Sequence, residues 1–157
     1  MNTQEACDLA ITLMVKHGLM TETPSTWHFE FDAATTRLGL CRFKTRTISL
    51  SRRLTEVNTR ETVLDTILHE IAHALQPLAG HGRIWKLQCM ALGAKPQACA
   101  RASDVVTLQG KYVATCPGCG AQFHKHARPR YKKPRACRAC CHGRFDARFI
   151  LEYRPCV

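Results

Sequence analysis

Residues 66–82 read T-I-L-H-E-I-A-H-A-L-Q-P-L-A-G-H-G and contain His69, Glu70 and His73 in the pattern H-E-x-x-H. Positions i and i+4 of an α-helix lie on the same face, so the two imidazoles can bind one metal ion. The carboxylate between them is then placed to accept a proton from water. The stretch therefore predicts a catalytic zinc site on a helix, with His69 and His73 as ligands and Glu70 as the general base.

Helical periodicity extends from residue 59 to residue 76. Polar and apolar side chains occupy opposite arcs of this helix, with Thr62, Thr66, His69, His73 and Gln76 on one arc and Val63, Leu64, Ile67, Leu68, Ile71 and Leu75 on the other. Asn58 or Thr59 can cap its start, and Pro77 ends it. A core helix with two surface histidines is the alternative, but a buried helix with a polar stripe is typical of a cleft, which we favour.

His81 is the candidate third ligand, since a catalytic zinc site normally has three protein ligands and an open position. It lies between Gly80 and Gly82, which permit the tight turn needed to bring it back to the helix. A histidine between glycines can also be an ordinary loop residue, but its distance from His73 suits a returning ligand. The metzincin spacing requires a histidine at position 79, which is Ala79, so that class is excluded.

The length of 157 residues supports one domain and a small appendage, and 45% hydrophobic residues are enough for a core. No stretch approaches the length of a membrane span, so no membrane association is expected. Glu5 and Asp8 stand where a signal peptide requires basic residues. We therefore expect a cytoplasmic, DNA-associated protein, or a nuclear one if its source is eukaryotic. In such a reducing compartment, paired cysteines indicate zinc rather than disulfides.

The remaining pattern predicts helices and a small antiparallel sheet. We expect helices at 3–17 and at Arg83–Leu92, strands at Trp27–Asp32, Arg37–Lys44 and Arg46–Ser51, and a connector with a strand at 94–110. An extended substrate can pair with an exposed sheet edge, for which we choose the Arg46–Ser51 strand. Basic residues near these strands could extend a basic surface: Arg42, Lys44, Arg46, Arg52 and Arg53.

Two C-x-x-C pairs, Cys116/Cys119 and Cys137/Cys140, are separated by 17 residues. This spacing is typical of a four-cysteine zinc ribbon, in which the metal folds a segment too small for its own core. Cys141 and His142 are other possible donors, and we favour Cys140 as the fourth ligand. The cofactor prediction is thus one catalytic and one structural Zn²⁺.

Positive charge is concentrated at the C-terminal end. Residues 1–110 hold 12 Lys/Arg against 10 Asp/Glu, whereas residues 111–157 hold 11 against 2. The loop between the cysteine pairs combines cations with aromatic rings, which neutralise phosphates and stack on unpaired bases. The candidate nucleic-acid-binding residues are Lys125, Arg128, Arg130, Tyr131, Lys132, Lys133 and Arg135. We expect a DNA partner that is single-stranded or partly single-stranded.

On these residues the chain resembles the SprT family of zinc metalloproteases, of the SprT and Spartan catalytic-core type. The resemblance rests on H-E-I-A-H at 69–73, on G-H-G at 80–82 with Trp85 after it, and on the two C-x-x-C pairs. It implies an α+β fold with a minimal zincin-like domain at 1–110 and a zinc ribbon at 111–157. It also implies cleavage of DNA-crosslinked proteins, and hence DNA–protein crosslink repair.

The sequence thus predicts a monomeric zinc-dependent endopeptidase, stimulated by DNA and acting on DNA-bound proteins. The alternative is a zinc-ribbon nucleic-acid-binding protein with an inactive or scaffold zincin domain. Glu70 argues against it, because a purely structural metal site does not need this carboxylate. A peptidase unrelated to nucleic acid is a third possibility, which the basic C-terminal region disfavours.

Overall fold

The computed structural model describes residues 1–21, 27–99, 103–131 and 133–156, and it divides into two compact units, Met1–Leu108 and Gln109–Val157. The first unit contains α1 (Thr3–Lys16), β1 (His28–Asp32), β2 (Gly39–Arg42), β3 (Thr47–Ser51), α2 (Arg52–Val57), α3 (Arg60–Leu75) and α4 (Arg83–Leu92). The second contains β4 (Tyr112–Thr115), β5 (Gln122–Lys125), α5 (Arg138–Cys141), a 3₁₀ turn (Ala147–Phe149) and β6 (Arg154–Pro155). The predicted α+β class is confirmed.

The helix that carries the H-E-x-x-H pattern is α3, and its ends follow from local chemistry. Of the two candidate caps, Thr59 is the one used, and its hydroxyl accepts a hydrogen bond from the N–H of Thr62. Pro77 follows the last turn. The next helix, α4, ends at Gly93, whose φ of 82° is left-handed and favours glycine.

The three strands of the first unit are ordered β1-β3-β2. β2 and β3 are antiparallel, but β1 and β3 are parallel, with Phe29 opposite Ile48. The prediction of an antiparallel sheet is therefore wrong for β1, and the choice of the Arg46–Ser51 strand as an edge is also wrong. After β1 the chain crosses to the far edge as β2 and returns through the centre as β3, a path that strand periodicity does not reveal.

The core of the first unit lies between α1, α3 and one face of the sheet. Its fully buried members are Ala6, Ala10 and Met14 of α1, Ile48 and Leu50 of β3, and Val63, Ile67 and Ile71 of α3. A second buried cluster joins α3 to α4 and contains Leu68, Ala72, Trp85, Cys89 and Ala94. The two clusters bury α3 on both sides and make it a rigid support for the side chains on its remaining face.

Two further elements differ from the sequence prediction. The short helix α2 begins directly after β3 with Ser51 as its cap and was not predicted. The predicted strand within 94–110 is not present in the described parts of that segment, 94–99 and 103–110. The backbone of Val106 is instead bonded to a side chain: Asn58 accepts a hydrogen bond from its N–H and donates one to its carbonyl.

The second unit is a three-stranded antiparallel sheet, ordered β5-β4-β6, from which the cysteine segments project. Among its described residues only Gly110, Ala114, Cys116 and Cys137 are buried. Such a small core cannot offset the conformational entropy of about 50 ordered residues, so this unit needs a further crosslink. Across the described residues of both units, no helix combines the length and apolar character required to cross a bilayer.

Candidate metal centres

The three predicted histidines converge in the first unit. His69 and His73 lie one turn apart on α3, and His81 lies in the turn that precedes α4. The Nε2 atom of His81 is 3.0 Å from that of His73 and 3.4 Å from that of His69. Tetrahedral zinc with Zn–N bonds of about 2.05 Å places its nitrogen ligands about 3.3 Å apart, so the donor set fits this ion.

The turn between α3 and α4 returns His81 to the helix. The N–H of Ala79 donates to the carbonyl of Gln76, and the N–H of Gly82 donates to that of Ala79. Gly80 between them adopts a φ of 50°, in the left-handed region. The prediction from the G-H-G pattern, that His81 lies beside the two helical histidines, agrees with this geometry.

Burial, with smaller contributions from the neighbouring His73 and His81, lowers the pKa of His69 to about 4. Burial likewise lowers the pKa of His73 to about 4, with a contribution from His81. Both imidazoles are therefore neutral near pH 7. Because a neutral imidazole has a free lone pair, these side chains can bind a metal ion without first losing a proton.

Glu70 is only 7% exposed and lies between α3 and strand β2. The backbone N–H of Cys41 faces its carboxylate. A β-carbon built on Gly39 would lie 2.8 Å from Oε1 of Glu70, so β2 can approach this closely only because residue 39 is glycine. β2 thus holds the candidate general base in one position.

Burial raises the pKa of Glu70 to about 7, although the Cys41 N–H and the charge of Arg37 act in the opposite direction. A carboxyl group with a pKa near neutrality can both accept and return a proton, which suits a general base. Sequence reasoning missed the parts played by Gly39, Cys41 and Arg37. An isolated glycine within a strand pattern was the available signal for a close backbone approach.

The second candidate centre lies in the second unit and contains Cys116, Cys119, Cys137 and Cys140, whose sulphur atoms all lie within 4.8 Å of one another. The Sγ atom of Cys116 is 3.7 Å from that of Cys140, and that of Cys119 is 3.8 Å from that of Cys137. Four thiolates around zinc, with Zn–S bonds of about 2.3 Å, are about 3.8 Å apart, so this set also fits.

Two features of the cluster bear on its ligands. Backbone N–H groups of Cys119 and Gly118 point at the sulphur of Cys116 and lower its pKa to about 7, which favours the thiolate that metal binding requires. The sulphur of Cys141 instead faces the carbonyl of Asp146 at 3.9 Å. Of the two adjacent cysteines, Cys140 is therefore the one directed into the cluster.

Most of the predicted nucleic-acid-binding residues lie on one segment of the second unit. Lys125 ends β5, and the side chains of Arg128, Arg130, Tyr131, Lys133 and Arg135 in the following loop are exposed, while Lys132 lies outside the described residues. The guanidinium carbon of Arg135 is 4.6 Å from the centre of the Tyr131 ring, and Tyr131 contacts Tyr153 edge to face at 6.5 Å. The structure thus brings cations and aromatic rings together.

The SprT-like family model matches residues 10–104, which extend from the middle of α1 to the connector after α4. The chain belongs to the SprT-like family. The match includes the histidine triad and Glu70 and ends before the cysteine cluster. The second unit lies outside the matched residues, so the family relationship does not describe it.

Two individual proteins are similar to this SprT-like chain. Germ cell nuclear acidic protein of Drosophila melanogaster is 28% identical over an alignment of 92 residues, which covers 54% of this chain and 9% of that protein, so the chain spans less than a tenth of that relative. The metallopeptidase zymogen jannalysin of Methanocaldococcus jannaschii superposes with a TM-score of 0.47 and 16% identity, over 63% of this chain and 85% of that one.

Proposed function

We propose that the protein is a zinc-dependent endopeptidase, stimulated by DNA, that cleaves proteins bound or crosslinked to DNA. The observation that carries the peptidase assignment is the convergence of three imidazoles beside a buried carboxylate that lies against β2. Membership of the SprT-like family supports it. The DNA part rests on the chemistry of the second unit, and the similarity to a Drosophila protein named as nuclear is compatible with it.

In this proposal His69, His73 and His81 hold the catalytic ion through Nε2. When bound, zinc supplies Lewis acidity, which polarises a peptide carbonyl and lowers the pKa of water. Glu70 accepts the proton of the attacking water on its carboxylate and returns it to the leaving nitrogen. The Cys41 N–H faces this carboxylate and favours its charged form, which is the form that accepts a proton.

An extended polypeptide can approach this site along β2, which is an edge strand of the sheet. Because Gly39 and Cys41 of β2 lie against Glu70, a peptide beside this strand passes close to the general base. Pairing between backbones requires no particular side chains, so this mode suits a protease that acts on many different proteins.

The second unit is proposed to bind DNA through the loop around Tyr131, which is 40% exposed. Its ring, backed by Tyr153 and flanked by Arg135, offers a face on which an unpaired base can stack. Both acidic residues of the unit pair elsewhere, Asp146 with Arg148 and Glu152 with Arg154. The loop cations are therefore left to attract phosphates.

A cleavage assay tests the catalytic proposal. A basic protein substrate is incubated with the purified chain, with and without single-stranded DNA and a chelator, beside the variant Glu70→Gln. We expect chelator-sensitive cleavage that DNA stimulates, and a variant that keeps zinc but does not cleave. Full activity of Glu70→Gln would refute the assignment. DNA binding without cleavage by the unmodified protein would support the nucleic-acid-binding alternative, and cleavage indifferent to DNA would support a general peptidase.

The DNA site is tested separately by two matched pairs of substitutions. Lys133→Ala with Arg135→Ala removes two charges from the loop, and Arg148→Ala with Arg154→Ala removes two exposed charges from elsewhere in the unit. Each lost phosphate contact to a single strand lowers the slope of log K against log salt by about 0.7, so we expect the loop pair to lower it by about 1.4. An equal decrease in slope for the control pair would indicate that DNA is attracted by the overall charge of the unit and not by the loop.

A further inference from the structure

Trp85, the third residue of α4, contacts all three histidines of the triad. Its ring is stacked on that of His73, with centroids 5.1 Å apart and planes inclined by 27°. It meets His69 edge to face at 4.7 Å and His81 edge to face at 4.6 Å. A single side chain thus forms the common wall behind imidazoles that come from two different elements.

This wall is rigid. Trp85 is fully buried, and its neighbours in the cluster between α3 and α4 include Leu68 and Ala72 on α3 and Cys89 one turn further along α4. An indole has only two side-chain torsions, and both are restricted by such packing. An imidazole that rests on it cannot rotate freely about its own bonds, because rotation would drive it into the indole.

Core stability alone does not account for an indole at this position. Its Nε1 atom is buried and has no hydrogen-bond partner among the described residues. A buried N–H without a partner is unfavourable, so a purely apolar side chain of similar size would serve the core at least as well. What the indole provides beyond an aliphatic side chain is a flat ring in contact with His69, His73 and His81.

We propose that Trp85 is a positioning residue that holds the three imidazoles with their Nε2 atoms converged before the metal binds. The inference rests on the proposed role of the triad as a zinc site. His81 depends on this contact most, because it is exposed and lies in a turn, whereas His69 and His73 are also aligned by α3. Preorganised ligands lose less conformational freedom on binding, so the wall raises the affinity of the triad for zinc.

The test compares Trp85→Phe, which keeps a ring, with Trp85→Leu, which keeps only apolar volume. Co²⁺ and Zn²⁺ are titrated into the full chain, and the signal that disappears in His81→Ala identifies the triad. We expect Trp85→Leu to weaken metal binding there by about 10- to 100-fold and to change the visible Co²⁺ spectrum, since changes around metal ligands have effects of that size. Trp85→Phe is expected to recover most of the affinity.

Cys89→Ala provides the control, because it weakens the same buried cluster at the next turn of α4. It should lower the melting temperature of the metal-free protein without changing affinity at the triad. Wild-type metal affinity in Trp85→Leu would overturn the inference. It would also be overturned if Trp85→Phe and Trp85→Leu lost metal affinity only in proportion to their decrease in melting temperature. If the unmodified triad binds neither ion, the proposed function itself fails, which is a distinguishable result.

A measurement on the unmodified chain covers the case in which Trp85→Leu does not fold. NMR of the metal-free protein should show the ring protons of His73 shifted upfield by the stacked indole, already before zinc is added. It should also show one set of signals for each imidazole of the triad. Unshifted, motionally averaged imidazole signals that acquire these features only on zinc addition would overturn the inference.

Discussion

The fit of β2 against the general base predicts that Gly39→Ala abolishes most activity. The added β-carbon would lie 2.6 Å from Cγ2 of Thr66 and 2.8 Å from Oε1 of Glu70, whereas ordinary contact begins at 3.4 Å. Both side chains are confined, because the Thr66 hydroxyl donates to the carbonyl of Thr62 at 2.9 Å and Glu70 is only 7% exposed. The carboxylate and the new β-carbon must therefore move apart, from 2.8 Å toward 3.4 Å.

A misplacement of about 1 Å at a catalytic group can cost about 100-fold in rate, so we expect kcat/KM to fall by about 10- to 100-fold. The overpacking should also lower the free energy of unfolding by about 1–3 kcal/mol. The assays are DNA-stimulated cleavage of a basic protein, bound zinc, and thermal unfolding. Zinc content should stay at the wild-type level, because the substitution touches the base and not the histidines.

The double variant Gly39→Ala with Thr66→Ser separates the two collisions. Serine removes the Cγ2 atom and with it the shortest contact, but the contacts with Glu70 remain. We expect this variant to regain stability without regaining activity. If Gly39→Ala cleaves at the wild-type rate, or if relief at Thr66 alone restores cleavage, the reasoning that β2 positions Glu70 is refuted.

Three further predictions concern stability. Asn58→Ala removes three side-chain hydrogen bonds, to Leu54 and to both backbone groups of Val106. At about 1 kcal/mol each, their loss should lower the free energy of unfolding by about 2–4 kcal/mol, with faster hydrogen exchange at the Val106 amide. Burial would raise the pKa of Asp32, but hydrogen bonds from the Ala34 N–H, Arg37 and Ser49 outweigh it and hold the pKa below its ordinary value. A group with such a lowered pKa stabilises the fold above about pH 4, and this stabilisation is lost as the pH falls further. The difference in free energy of unfolding between wild type and Asp32→Asn, measured by urea titration, should therefore be constant above about pH 5 and decrease at lower pH. Cys137→Ser should release the metal of the cysteine cluster and unfold the second unit, as followed by amide NMR signals, while those of the first unit stay; a folded second unit would contradict the assignment of a structural metal.

Much of the candidate site could be predicted from the sequence because its main part is local. The spacing of His69 and His73 follows from 3.6 residues per helical turn, and the arc of apolar residues on α3 specified which face would be buried. Asn58 or Thr59 marked the start of that helix and Pro77 its end, and the structure uses Thr59. The spacing of the cysteine pairs was similarly informative, since each pair lies within a few residues of chain.

Contacts between distant segments could not be predicted in the same way. The parallel pairing of β1 with β3, the central place of β3, and the position of Gly39 against Glu70 depend on how the chain crosses the sheet. Alternation of apolar and polar residues identifies a strand but not its neighbours. The role of Asn58 was also invisible, because its hydrogen-bond partner Val106 is 48 residues away.

The sequence by itself thus determined the residues that can bind metal, the helix that carries two of them, and the division of charge along the chain, because these follow from short-range spacing and composition. Only the tertiary structure decided how the site is held. β2 confines Glu70 and the indole of Trp85 supports the imidazoles, because close packing selects among rotamers that local sequence leaves open.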